Sequence, residues 1–164
     1  MFSIPYETQS SIVINKKPEV VFNFIADFNN WPSWSPWLIL EPNCQYLIKG
    51  PSATVGHLQE WNGQAIGAGR MTLMSMNPQT ELNLKLEFFK PWKTESTARF
   101  LLRPKGDSTE VTWNMKGSLP FFMFFMKKMM KAWIGNDFNR GLRMMKEKLE
   151  TGKVLSKVDV QGVK

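Results

Sequence analysis

Residues 109–150 read TEVTWNMKGSLPFFMFFMKKMMKAWIGNDFNRGLRMMKEKLE, and the fold turns on a change of period inside this stretch. Up to Lys116, the apolar Val111, Trp113 and Met115 alternate with Glu110, Thr112, Asn114 and Lys116. Period two marks a strand with one wet and one dry face. After Ser118-Leu119-Pro120 the period changes. Met126, Met130, Ile134, Phe138, Leu142, Met145 and Leu149 recur at steps of four or three, which predicts a helix of about 30 residues. Gly135 and Gly141 interrupt it, and each costs about 1 kcal/mol relative to Ala inside a helix. They are therefore expected to serve a purpose, either close approach of helix to sheet or space beneath the helix. Gly152 ends the helix. A strand with one dry face, followed by a helix with one apolar stripe, predicts a helix laid across a sheet.

Upstream, residues 43–118 keep the strand period. Leu82, Leu84, Leu86 and Phe88 alternate with Glu81, Asn83, Lys85 and Glu87. Turn signals separate the runs at Gly50-Pro51, Asn62-Gly63, Asn77-Pro78, Lys90-Pro91 and Lys105-Gly106-Asp107. This predicts an antiparallel meander of about five or six strands. Residues 6–14, YETQSSIVI, read as a first strand. Pro18 then fits the first turn of a helix whose apolar face is Val20, Val21, Phe24 and Ile25.

Between these parts lies NNWPSWSPW, residues 29–37, with Trp31, Trp34 and Trp37 broken by Pro32 and Pro36. Asn30 is the expected N-cap of a very short helix over Trp31–Trp34, and Pro36 is expected to stop it. Three tryptophans in a segment that prolines keep short either plug a core or wall a pocket.

The chain has 164 residues, 43% hydrophobic and 21% charged, the profile of one globular domain. Its 7 Trp, 12 Phe and 11 Met suit either an ordinary core or an interior of rigid and deformable apolar walls. The net charge is +7, concentrated after Pro120. This excess reads as a solvated helix face or as attraction to an anionic surface. Nothing in the sequence resembles a nucleic-acid motif, and the aromatics are not interleaved with lysines as a single-strand platform requires. No nucleic-acid partner is expected. Cys44 is the one cysteine, so no intrachain disulfide can form. With no secretory signal and no apolar run of about 18 residues, a cytoplasmic protein is expected. Residues 1–152 form the expected domain, and 153–164 a polar tail with a faint strand pattern at Val158 and Val160.

The order is strand, two short helices, a run of strands, then one long helix. This is an α+β, helix-grip architecture: a curved antiparallel sheet of about six or seven strands around a long C-terminal helix. The motifs run nearly end to end. They are Pro18 with Val20-Val21-Phe22, then Trp31 and Trp34-Ser35-Pro36-Trp37, Gly56, and Trp61-Asn62-Gly63. Gly67–Thr72 (GAGRMT), Leu86–Pro91 (LEFFKP) and Thr109–Gly117 (TEVTWNMKG) follow, then Gly135-Asn136-Asp137-Phe138 and Gly141-Leu142. In order and spacing across about residues 8–149, the chain resembles the polyketide cyclase/dehydrase-type branch of the START-like (SRPBCC) superfamily. The resemblance implies a shared fold and pocket more than a shared reaction. It also implies that the tryptophan segment closes the open end of the grip.

Catalytic groups are few. His57 is the only histidine, and with one cysteine no metal cluster or other cofactor is implied. If its strand is regular, His57 shares a face with Gln59 and Trp61, which makes it the one candidate acid–base group; the alternative is a hydrogen-bonded or rim histidine. Gly67-Ala68-Gly69 lies in a strand pattern and reads as room for close approach or a bend. Asp137 and Arg140, three apart on the long helix, read as a surface pair. In FFMFFMKKMMK, residues 121–131, the first six residues cannot all face one sheet. They are covered by loops or a second copy of the chain, or they form a greasy, basic patch for transient membrane contact.

The leading expectation is a carrier or sensor that binds a hydrophobic small molecule between sheet and helix. The alternatives are a cyclase, dehydratase or hydrolase using the same pocket, and an interaction or dimerisation module. Strand alternation places Trp113 in the pocket together with Val111 and Met115. The resemblance adds Trp34, Trp37 and Trp61, and with them Met71, Phe88, Met130, Ile134 and Phe138.

Overall fold

The computed structural model describes residues 3–156. Seven strands form one antiparallel sheet in the order β1-β7-β6-β5-β4-β3-β2. They are β1 (Ser3–Ile14), β2 (Gln45–Lys49), β3 (Leu58–Asn62), β4 (Ala68–Asn77), β5 (Glu81–Lys90), β6 (Thr94–Lys105) and β7 (Ser108–Pro120). All five expected turn signals fall between strands. β1 does not pair with its successor. It returns beside β7, with Val13 opposite Glu110 and Tyr6 opposite Gly117. The helical residues between β1 and β2 therefore cross from one edge of the sheet to the other and close the end of its concave face.

Those crossing residues differ in detail from the sequence expectation. Helix α1 spans Pro18–Ala26 with Pro18 in its first turn, but its buried face is Val21, Phe22, Ile25 and Ala26. The expected face, Val20-Val21-Phe24-Ile25, is displaced by one residue, and Val20 lies exposed. The two faces have the same spacing and share Val21 and Ile25, and Phe24 stays partly buried against the core. A 3₁₀ turn over Phe28–Ser33 follows, capped by Asp27 rather than Asn30; the Asp27 carboxylate accepts from the Asn29 backbone N–H at 3.0 Å. Ser35 is extended, as a residue before proline should be. The turn thus stops before Pro36, as expected, and Pro36 also opens a second helix. It occupies the first turn of α2 (Pro36–Leu40), where its missing N–H costs nothing.

The long helical segment comprises a 3₁₀ turn (Phe121–Met126) and α3 (Lys127–Thr151), ended by Gly152, whose N–H closes on the Lys148 carbonyl at 2.9 Å. α3 buries Phe138, Leu142, Met144 and Met145 on the sheet. Gly141 permits this approach: a Cβ there would lie 3.0 Å from the Trp113 ring and 3.2 Å from Pro36. Gly135 carries no comparable demand, since a Cβ would meet only Thr8 Oγ1 at 3.5 Å. At its far end α3 is tied to β1 and the residue after it. Lys146 Nζ donates to the Val13 carbonyl at 2.6 Å, and the Asn15 N–H donates to Glu150 at 2.7 Å. The pattern at Val158 and Val160 lies outside the described residues. Among the described residues, no helix is long and apolar enough to cross a membrane.

Candidate ligand-binding site

Trp113, on the inner face of β7, is the centre of an aromatic cluster. Phe138 of α3 stacks on it at 3.9 Å with ring planes 5° apart, and Phe100 of β6 stacks on it at 4.9 Å. Trp34 and Trp37 meet it edge-on at 5.6 and 5.8 Å. Aromatic pairs in these geometries add about 0.5–1.5 kcal/mol each beyond area burial. The cluster closes one end of the space between sheet and helix. The other end stays open.

That open end is a cavity of about 290 Å³, at the small end of the range of about 300–1,000 Å³ typical of small-molecule sites. The sheet contributes Gln59 and Trp61 from β3, Met71 from β4, Leu86 and Phe88 from β5, and Trp113 and Met115 from β7. In β3, β5 and β7 these lining residues sit two apart, so alternation alone turns them inward. From α3 come Met130, Ile134, Asp137 and Phe138, one stripe at helical spacing. Trp31, Ser35, Trp37 and Leu38 supply the crossing wall, and exposed Lys90, Pro91 and Trp92 mark the mouth.

Trp37, Trp61, Met71, Phe88, Trp113, Met115, Met130, Ile134 and Phe138 thus come together around one cavity. Trp34 and Val111 do not; both are fully buried in the core and lie outside the lining. Trp34 packs against Trp31 and Trp113, and its turn of chain leaves Trp31 and Trp37 to meet the cavity. Within the strand run 109–117, Val111 is adjacent to the closed end, so sharing a face with Trp113 is not enough to reach the opening.

His57 is also outside the lining. It stands just before β3, at the opposite end of that strand from Trp61. The imidazole is fully buried and stacks on Phe28 at 4.5 Å. Its Nε2 accepts from the Phe28 backbone N–H at 3.0 Å, and Nδ1, 3.1 Å from the Gly50 carbonyl, carries the proton. Both nitrogens serve the backbone.

Several wall residues carried no clear sequence signal. Tyr6 reaches the cavity from β1 and shares a hydrogen bond with Ser96 Oγ at 3.0 Å; burial pushes its hydroxyl pKa up. Gln59, nearly fully buried, is held by the Tyr46 hydroxyl. Gln59 takes the face expected from its parity with Trp61, whereas the polar Thr8 and Ser10 that follow Tyr6 hide the inner face of β1. Trp61 itself lies over Gly69 on the paired strand, where a Cβ would come within 2.4 Å of its ring. This is the close approach expected of the Gly67-Ala68-Gly69 run.

Asp137 departs from the expected surface pair. Its Oδ1 does lie 3.6 Å from Arg140, but its Oδ2 accepts from the Trp37 indole N–H at 3.2 Å, and the carboxyl lines the cavity. Burial pushes its pKa up, against the pull of the Trp37 hydrogen bond and the Arg140 charge. A carboxyl raised in the folded state contributes stability that is full below its unfolded value of about 3.9 and is lost as pH rises through the folded value. Urea unfolding of wild type and Asp137→Asn, compared from acid to neutral pH, should therefore show wild type losing ground to the variant as pH rises through that window. A difference that stays flat, or runs the other way, would contradict the raised carboxyl.

Among the described residues, no cluster of His, Cys, Asp and Glu is placed to hold a metal ion. A search of curated proteins finds no match. Solved structures share the fold at low identity. The di-domain ARO/CYC StfQ of the steffimycin biosynthetic pathway matches with a TM-score of 0.69 and 9% identity over 90% of this chain and 52% of that one. Protein CV1439 from Chromobacterium violaceum matches with a TM-score of 0.66 and 15% identity over 88% and 96%. The Aha1 dimer from Colwellia psychrerythraea matches with a TM-score of 0.65 and 18% identity over 90% and 98%. The family model described as polyketide cyclase/dehydrase and lipid transport matches residues 6–150, and the chain belongs to that family, a branch of the START-like superfamily.

Proposed function

We propose that residues 1–152 act as a cytoplasmic carrier or sensor that binds a hydrophobic small molecule, lipid-like or polycyclic aromatic, between the sheet and α3. The observation that carries this reading is an apolar hollow walled by Trp37, Trp61, Phe88, Trp113 and Met115 and left unfilled. Leaving such a volume unpacked forgoes on the order of several kcal/mol of core contact. Family membership supports the same reading.

Trp37, Trp61 and Trp113 sit in the wall, so their emission reports on the cavity. Titration with palmitate or with 1-anilinonaphthalene-8-sulfonate is expected to saturate and to shift that emission. Trp61→Ala, at a partly exposed site, is expected to fold and to weaken binding about tenfold, the loss of one well-packed aromatic contact. Saturable binding with unchanged emission, and equal affinity in Trp61→Ala, would put the ligand elsewhere.

A second reading, a cyclase or dehydratase, rests on Asp137. It is a half-buried carboxyl on an apolar cavity wall, and burial pushes its pKa up. If turnover of an aromatic polyketide-like substrate is found, Asp137→Asn should lower it by about 10²-fold while binding persists.

A further inference from the structure

The start of the last helical segment leaves large apolar side chains in solvent. Phe121, Phe122, Phe124 and Phe125 are 60–72% exposed, while Met123 turns inward against Tyr6 and Leu119 and Met126 packs partly beside it. The strip continues along α3 through exposed Met129 and Trp133. Lys127, Lys128 and Lys131 stand among these residues, and no carboxylate occurs anywhere from Phe121 to Asn136. A second exposed group, Phe89 and Trp92 with Lys90 and Lys93, lies at the end of β5 and on the turn into β6. Both groups adjoin the cavity: Lys90, Pro91 and Trp92 line it from one side, Met130 and Ile134 from the other.

An apolar patch of this size on a folded domain marks a surface that meets something else. Its charge selects the partner. A second copy docked through the same patch would set one lysine cluster against another, at a cost in like-charge repulsion. An anionic lipid surface complements the lysines and accepts the phenylalanine and tryptophan rings at the headgroup level.

We propose that this aromatic and basic face docks on the surface of an anionic bilayer, with the cavity mouth turned toward the lipid. The docking stands on its own observations. That ligand then passes between bilayer and cavity rests on the binding function proposed above.

Sedimentation of the full chain with vesicles tests it. The protein is expected to co-sediment with vesicles of phosphatidylcholine and phosphatidylglycerol, and about tenfold or more weakly with phosphatidylcholine alone. Phe122→Ser/Phe125→Ser changes only exposed side chains, and circular dichroism should show it folded. It is expected to lose about tenfold or more in vesicle affinity while binding 1-anilinonaphthalene-8-sulfonate in solution as wild type does. Wild type that stays in the supernatant with anionic vesicles, or a variant that sediments like wild type, overturns the proposal. So does sedimentation equilibrium showing a dimer that the same variant dissociates, without vesicle binding. Loss of probe binding in both proteins strikes at the cavity reading and leaves the docking result intact.

Discussion

A chain ending at Pro120 keeps all seven strands and is expected not to fold cooperatively. The missing segment supplies Phe138, Leu142, Met144 and Met145, each at most 1% exposed. Burying four such side chains contributes about 6–12 kcal/mol, and a domain's entire net stability is about 5–15 kcal/mol. The loss is also felt on the sheet, where Trp113 would give up its stacked partner at 3.9 Å. β1, an edge strand, would lose the ties that Lys146 and Glu150 make to Val13 and Asn15. Urea titration followed by circular dichroism should show a broad, non-cooperative change for the shortened chain and a sigmoidal one for the whole chain. A sharp transition in the shortened chain would mean that the sheet does not need α3 as its cover. Within the full chain the same argument applies to one residue. Phe138→Ala, which empties a fully buried site and unstacks Trp113, should cost about 3–5 kcal/mol in the same titration.

The sheet and the long helix were legible because their periods are long and unambiguous. Alternation from Glu81 to Phe88 and from Glu110 to Lys116, and helical spacing from Met126 to Leu149, leave little room for another reading. The short crossing segment was less legible. A proline can stop a helix or start one, and Pro36 does both, because the extended Ser35 ends the turn before it and resets the chain for α2. In α1 two apolar faces of equal spacing compete, and tertiary packing selects the one carrying Phe22. Cavity residues were found where strand parity or helical spacing turns a side chain inward, as with Trp113 and Phe138. Parity says which face a residue takes but not how far along the groove it sits. Val111 and Trp34 therefore fill the closed end, while Met115 and Trp37 line the open one. Asp137 was hidden for another reason. Its i, i+3 partner Arg140 gave a sufficient surface explanation, and only the fold brings the Trp37 indole to it from a hundred residues away.

His57 shows how a residue that reads as chemistry can prove to be architecture. It joins three backbone segments at one buried point: its own turn before β3, the Gly50 carbonyl after β2, and the Phe28 N–H that opens the 3₁₀ turn. That turn carries Trp31 and leads into Trp34, so the imidazole helps hold the closed end of the cavity without touching the cavity. His57→Leu preserves much of the volume and leaves the buried Phe28 N–H without its partner, while the Gly50 carbonyl, on an exposed residue, can turn to water. An unsatisfied buried group costs about 1–3 kcal/mol, so the variant is expected to lose about that much stability. The measurement is the urea midpoint at an unchanged slope. Molecules that remain folded should bind 1-anilinonaphthalene-8-sulfonate with close to wild-type affinity, because no cavity atom has been removed. An effect of His57→Leu on binding or turnover with stability intact would falsify this assignment and return the imidazole to the site.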